Sequence, residues 1–500
     1  MCAGSVDREI AVSIRVALYP IMHIESAIHI LHNGENGRRI FAQNRTRENA
    51  MTKTERHIDE LYEADPIRAD AEAFGRRTDV SRRGFLGGAG LAAMGAAVGG
   101  TIVHHAHMPA GLIPAALAQE KAPATAAPPV ASGPQKLDFP GKNPNLVVLG
   151  DKPLVAETPE YLLDDDTTPT SKFFIRHNGT PPQTPSDPNT WKLTIDGEVN
   201  KPIEIALGDL KKRGAAKTYR MVLECGGNGR SFFTPTARGN QWTNGGAGCA
   251  EWTGIPLATL LRAAGVKQPA VYTANTGADV HLSGDPQRVT LSRGVPIAKA
   301  MNEFSLLVWA MNGKPLENVH GGPLRLIHPG WPGSTSHKWL TKITLRDKVH
   351  DGQGMLGTNY RVAIKPMMPG GKADDSNFRI FESMPVRSII TSPQNGHRLA
   401  AGVRELRLRG AAWSGEPEVR RVELSADFGA TWQQARLANA RNRYDWRRWT
   451  ATLKLPSDGY YEIWARATDS SGRSQPHVAG NWNPQGYGAN PMHRIAVLVG

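Results

Sequence analysis

The alternation of apolar and polar positions changes character twice along the chain. Between Gly87 and Val103 small, weakly apolar residues run together with glycines scattered among them. That run is marginal for a ~30 Å hydrocarbon core. From about Leu137 to Asp351, strand-like and helix-like spacings are mixed. Trp191-Lys-Leu193-Thr-Ile195 alternates as a half-buried strand does, with Asp196-Gly197 as the expected turn. Leu257 to Gly265 has helical spacing and a glycine suited to cap its C-terminus. Tyr219 to Leu223, Leu324 to Ile327 and Ile343 to Leu345 read as further strands. Past the Met/Pro/Gly/Asp stretch from Pro366 to Asn377 the alternation becomes regular, in Arg421 to Ser425, Trp449 to Leu453 and Tyr461 to Ala467. Turn signals at Asp427-Phe-Gly429 and Asp469-Ser-Ser-Gly472 separate these runs, as in a β-sandwich.

Composition narrows the picture. The 500 residues are 40% hydrophobic and 21% charged, too apolar for a disordered chain. With 52 Gly and 36 Pro, turns and short strands are favoured over a helical bundle. Only Cys2, Cys225 and Cys249 occur, which excludes a disulfide-stapled scaffold and a zinc cluster built from thiolates. Ser81-Arg82-Arg83-Gly84-Phe85-Leu86 ahead of the weakly apolar run, with Ala116-Leu117-Ala118 beyond it, reads as a twin-arginine export signal. The mature protein is therefore expected in the periplasm, exported folded, without stable membrane insertion. Residues 1–118 are expected to be removed, Met51 being the more natural initiator. That stretch carries 13 basic and 13 acidic residues, so the net charge of +13 stays with the remainder. Residues 119–136, rich in Ala and Pro, read as a linker. A surplus of positive charge suits an anionic ligand. Nucleic acid is disfavoured, because the basic residues are scattered and the address is extracytoplasmic.

Cys225 stands out among candidate chemical groups. The strand-like Tyr219 to Leu223 delivers it into Cys225-Gly226-Gly227-Asn228-Gly229-Arg230. Glycines permit close backbone approach to a bulky ligand, and a nearby guanidinium favours the thiolate that ligates metal. Cys249, between Gly248 and Ala250, reads instead as a packed core thiol.

From about Phe173 onward the chain resembles the sulfite oxidase family of molybdenum enzymes, and most of all its exported, haem-free bacterial sulfite dehydrogenases. Phe173-Phe174-Ile175-Arg176-His177-Asn178, Leu223 to Arg230, and Gly246 to Gly254 resemble the family's motifs in order. Met311-Asn312-Gly313, His320 to Arg325, Ser336-His337-Lys338-Trp339-Leu340, and Trp482-Asn483 to His493-Arg494 follow in the same order. The resemblance implies an α+β chain: a mixed α/β molybdopterin-binding domain over 137–370, then an immunoglobulin-like dimerisation sandwich over 380–500. It implies Cys225 as the molybdenum ligand. The pyranopterin would be held by His320, Arg325, Ser336, His337 and Lys338, with Asp279 near it. Arg176 and Arg230 would hold an anionic substrate, with Trp242 and Tyr360 walling the same pocket. Where many relatives read Arg-Asn-His, this chain reads Arg176-His177-Asn178, which leaves both His177 and Asn178 as candidates for the pterin. Gln485 stands where eukaryotic members carry a further arginine.

The implied reaction is oxidation of sulfite to sulfate by oxygen-atom transfer at molybdenum-molybdopterin. The chain has no Cys-x-x-Cys-His for covalent haem, so an external c-type cytochrome is the expected acceptor, and a homodimer the expected assembly. The competing readings are a sulfane dehydrogenase acting on carrier-bound sulfur, and an exported anion-binding protein without catalysis.

Overall fold

A computed structural model describes residues 137–500. The paired arginines, the Ala116 to Ala118 site and the 119–136 linker lie outside the described residues.

One five-stranded antiparallel sheet carries the cysteine loop. Lys217–Glu224 pairs with Ala247–Pro256, which pairs with Leu306–Met311; Lys314–Pro315 and Arg325–Ile327 complete the sheet on that last strand. A second, mixed sheet runs Ile203–Ala206, Lys192–Gly197, Leu340–Arg346, Tyr272–Gly277 and Ser292–Arg293, with Lys192–Gly197 parallel to Leu340–Arg346. Between them lies a core that takes Leu193 and Ile343 from one sheet and Ile255, Leu307 and Leu326 from the other. Helix Leu257–Ala264 starts straight after Pro256 and stops at Gly265, whose φ of +68° lets its amide return to the Leu261 and Arg262 carbonyls. It drives Leu257, Leu260 and Leu261 into the same core.

Two expectations are corrected here. Strand outweighs helix far more than a mixed α/β reading implies. The α-helices among the described residues are Leu207–Leu210, directly after strand Ile203–Ala206, and Leu257–Ala264 and Ile297–Ala300, each directly after a proline. Asp196 and Gly197 are not the turn after their strand but its last two residues. Parallel pairing with Thr344 and Leu345 prolongs the strand over them, and the left-handed φ of Gly197 (+83°) turns the chain only there.

The C-terminal region is two facing sheets. One runs Arg387–Ser392, Glu405–Trp413, Arg447–Lys454 and Arg436–Leu437; the other runs His397–Leu399, His493–Val499, Gly459–Asp469, Val419–Ser425 and Gln433–Gln434. Alternate residues of each turn inward, so Leu406, Leu408 and Trp449 meet Val422, Ile463 and Val497 in one core.

Buried charge pairs bind the two regions together. Arg220, on the cysteine-bearing strand, donates from Nε and Nη2 to the two carboxylate oxygens of Asp445 at 2.9 and 2.7 Å. Cys249 is in the core as expected, but against this carboxylate: its Sγ donates to Asp445 Oδ1 at 3.3 Å. Burial, then the Asp445 charge, pushes the Cys249 thiol far up. Nearby, Trp446 donates its indole N–H to the Asp166 carbonyl at 2.8 Å. Asp445→Asn would leave the Arg220 charge buried without its counterion. It is expected to lower the urea midpoint by the equivalent of about 3–5 kcal/mol at an unchanged m-value, read by equilibrium denaturation.

Candidate active site

Strand Lys217–Glu224 ends one residue before Cys225, and the chain folds back through Gly226 to Gly229 into the short turn Arg230–Phe232. The Cys225 amide donates to the Gly246 carbonyl at 2.8 Å, and the Asn228 amide returns to the Cys225 carbonyl at 2.9 Å. Gly229 is obligatory, and Gly227 leaves room for the end of the Arg230 side chain. Gly229 has φ +85°, and a Cβ there would sit 2.5 Å from the Ala489 carbonyl oxygen; a Cβ on Gly227 would sit 2.3 Å from Arg230 Nη2. The loop so made holds the Cys225 thiol half-buried in a cleft.

Behind the loop, Glu224 and Arg387 have every side-chain polar atom partnered. Glu224 Oε1 accepts from Arg387 Nε at 2.8 Å and Asn228 Nδ2 at 2.9 Å, while Oε2 accepts from the Trp413 indole at 2.7 Å. Arg387, from the C-terminal region, also donates to Asn244 Oδ1, the Asn228 carbonyl and the Ala489 carbonyl. Glu157 accepts from the Thr243 amide and hydroxyl at 2.8 and 3.0 Å, and the Thr243 carbonyl takes the Gly229 amide.

The cleft's other wall follows from a period of two. Ile175–Arg176 is a short strand, and Phe174, Arg176 and Asn178 line the cleft while Phe173, Ile175 and His177 are buried behind it. Alternation thus separates the two candidates: Asn178 faces the cleft, and His177 packs edge-on to Trp339 with Nε2 3.1 Å from the Val319 carbonyl oxygen. Asp279, Arg325, Ser336, His337, Lys338 and Tyr360 also line the cleft. Tyr360 holds a left-handed φ of +47°, with its ring stacked on Tyr487 at 4.9 Å.

Three expected residues lie outside this lining besides His177. Trp242 is 0% exposed and edge-on to Phe174 at 5.9 Å, so it forms core behind the wall; Gly246 has no Cβ because one would meet that indole at 2.9 Å. Arg230 donates to the Gln485 and Asn240 carbonyls, both at 2.8 Å, and its guanidinium lies over the Tyr487 ring. Its Nη2 reaches back to Gly227, two residues from Cys225, but Arg230 is not among the residues lining the cleft. His320 is buried beside Phe173 with Nε2 2.9 Å from Lys142 Nζ, while its carbonyl accepts from Arg325 Nη1 at 2.7 Å. Lys142, Trp339, Arg293 and Tyr487 were not anticipated. A lone lysine after a glycine carries no local signal, whereas an arginine within Leu291-Ser-Arg-Gly-Val295, otherwise small and apolar, does.

The electrostatics of the cleft are one-sided. Burial lowers Arg325 to about 9 and Lys142 to about 7, and drives Lys338 far down with help from the Arg325 and Arg176 charges. Asp279, raised by its burial, is the one carboxylate in the lining. Arg176 Nη1, Arg325 Nε and both ring nitrogens of His337 are buried without a partner. Burial holds His337 at about 4, hence neutral at pH 7. Unpartnered buried donors around a cationic hollow fit a polyanionic group with several acceptors. A thiol at its edge adds one soft ligand. Among the described residues no cluster of three or more His, Cys, Asp or Glu is placed to hold a metal ion, so a metal at Cys225 would take its other ligands from the group it arrives with.

Comparison with known proteins agrees with this chemistry. Residues 177–353 match the model of the oxidoreductase molybdopterin binding domain, and residues 379–500 match that of the Mo-co oxidoreductase dimerisation domain. The chain is 32% identical over 369 residues to mitochondrial sulfite oxidase of Drosophila melanogaster, covering 70% of this chain and 62% of that one. It is 30% identical over 390 residues to sulfite oxidase of Gallus gallus, covering 76% of this chain and 82% of that one. Among solved structures, the sulfane dehydrogenase SoxCD of Paracoccus pantotrophus superposes with a TM-score of 0.58 at 27% identity, over 76% of this chain and 96% of that one.

Glu157, which steadies the cysteine loop through Thr243, is pushed up from 4.5 to about 7 by its burial. The folded state then keeps a proton that the unfolded chain releases, so this group's contribution to stability is full below pH 4.5 and is lost as pH rises through about 7. Glu157→Gln cannot titrate. Denaturation midpoints measured across that window are expected to fall less steeply with rising pH in the variant than in the parent.

Proposed function

The chain belongs to the sulfite oxidase family of molybdopterin oxidoreductases, and from that premise we propose that it oxidises sulfite to sulfate and hands the electrons singly to an external c-type cytochrome. The observation that carries the reading is the half-buried Cys225 thiol on a cleft whose cationic donors lack partners. When bound, the molybdenum–pterin would supply the two-electron redox chemistry that no side chain here can. Cys225 would hold the metal as its one protein thiolate. Arg325, Ser336, Lys338 and Asn178 would hold the pterin and its phosphate, converging from three separate segments of the cleft. His320 would act one step back, keeping Arg325 aimed through the hydrogen bond to its carbonyl.

The substrate side falls to Arg176 and Tyr360. Arg176 brings a fixed positive charge and an unused donor, and the Tyr360 hydroxyl can donate to an oxyanion. Phe174 and Trp339 keep that corner poor in water, which strengthens both contacts. Overall, sulfite and one water give sulfate, two electrons and two protons, the oxygen and both protons coming from the water.

The likeness to a sulfane dehydrogenase supports a second reading, in which the sulfur is presented on a carrier. We further propose that the chain is exported to the periplasm by its twin-arginine segment, and that the C-terminal sheets form an immunoglobulin-like sandwich serving as a homodimer contact. Purified protein is expected to carry about one molybdenum per chain and to reduce a c-type cytochrome with free sulfite, with both properties lost in Cys225→Ser. Turnover that needs carrier-bound sulfur would favour the second reading. A folded, metal-free protein that binds sulfate without turnover would make it an anion-binding protein instead.

A further inference from the structure

We infer that Arg293 is an anion-recognition residue of this cleft, acting on the bound oxyanion through the Tyr360 hydroxyl. The inference rests on the reading of the site as an oxyanion pocket.

Arg293 ends the short strand Ser292–Arg293 and is 0% exposed. Its Nε and Nη2 are buried without hydrogen-bond partners, and Nη1 meets only the Gly354 carbonyl and the Met355 sulfur. No carboxylate forms an ion pair with it among the described residues. A guanidinium does not shed its proton under ordinary conditions, so this is a full charge held in a dry place, and Glu382, whose carboxyl feels that charge, makes no ion pair with it. Natural cores avoid such a group unless something else compensates it.

Its surroundings indicate what that is. The guanidinium carbon lies over the Tyr360 ring, 4.6 Å from the centroid. Tyr360 is stacked at 4.9 Å on Tyr487, and Arg230 lies over Tyr487 at 5.4 Å. Two cations therefore flank a pair of stacked phenols, and only Tyr360 of that pair reaches the cleft lining. A cation on the face of a phenol draws electron density from the ring and makes the hydroxyl a stronger donor to an anion. A second path leads the same way: the Arg293 charge also bears on His337, a lining residue, and Leu291, two residues earlier, lines the cleft too. Meanwhile the Gln485 side chain spends its N–H on the Thr358 hydroxyl and brings no charge. Arg293 is thus a positioning and polarising residue that supplies positive charge from behind the tyrosine.

The test uses holoenzyme carrying Arg293→Met, Arg293→Lys, Tyr360→Phe, or Arg293→Met with Tyr360→Phe. Molybdenum and pterin contents are measured first. Sulfate affinity is then read by isothermal titration calorimetry, and sulfite oxidation with ferricyanide as acceptor. Arg293→Met is expected to weaken sulfate binding and raise the sulfite KM in parallel, by about tenfold, with kcat changed far less. Arg293→Lys should restore part of this. In the Tyr360→Phe background the same substitution should have a much smaller effect, because the hydroxyl that transmits it is gone. Without added anion, Arg293→Met should melt no lower than the parent, since it removes an uncompensated charge.

Unchanged sulfate affinity in Arg293→Met would overturn the inference. So would loss of pterin, which would make Arg293 a cofactor ligand, or an undiminished effect in the Tyr360→Phe background. A parent enzyme that does not oxidise sulfite would sink the proposed reaction alone. The sulfate titrations would still decide the role of Arg293.

Discussion

The buried ion pair between Glu224 and Arg387 is the contact on which the site depends. Its members are 163 residues apart in sequence and almost wholly removed from water. Such a pair is affordable only when every remaining donor and acceptor finds a partner. Here they do: the carboxylate takes Asn228 and the Trp413 indole as well, and the guanidinium spreads over Asn244 and two carbonyls. Because Glu224 immediately precedes Cys225, fixing the carboxylate fixes where the thiol emerges. The C-terminal sheets are thus part of the cleft's foundation, through Arg387 and Trp413, as well as a candidate surface for assembly.

The cleft obeys the opposite rule. Behind the loop the charges are paired; within it Arg176, Arg325 and Lys338 crowd together with Asp279 as the sole opposing carboxylate in the lining. This arrangement is strained by itself and relaxed by an anion, so ligand binding and stability are thermodynamically linked. The protein has put its uncompensated positive charge where the pterin phosphate and an oxyanion would neutralise it.

Much of this was legible in the sequence, for reasons that are local. Gly265 announces a helix end because only a left-handed residue closes it, and Trp449 to Leu453 and Tyr461 to Ala467 alternate because each strand has one dry face. Cys225 declared itself through the glycines that its tight loop requires. What stayed hidden depends on distance along the chain. Nothing near Arg230 tells that the Gln485 carbonyl, 255 residues on, and the Tyr487 ring will take up its guanidinium, and nothing near Trp242 tells that its indole will pack edge-on to Phe174. The choice between His177 and Asn178 lies between these cases. It follows from the period of two running through Phe174, Arg176 and Asn178, once it is known that Phe174 faces inward.

The cysteine loop is closed from a distance. Gly488 donates its amide to the Gly226 carbonyl, Gln485 offers its carbonyl to Arg230, and Ala489 offers its own to Arg387, so the segment just before the final strand His493–Val499 seals the cysteine loop. Gln485 lies 255 residues beyond Arg230 in sequence, so the loop borrows its shape from the far side of the fold. Without those three contacts it would keep its glycines and its thiol but lose the frame that aims them. A substitution in that distant segment would therefore reach the cleft as a change of loop shape, without touching any residue that lines it.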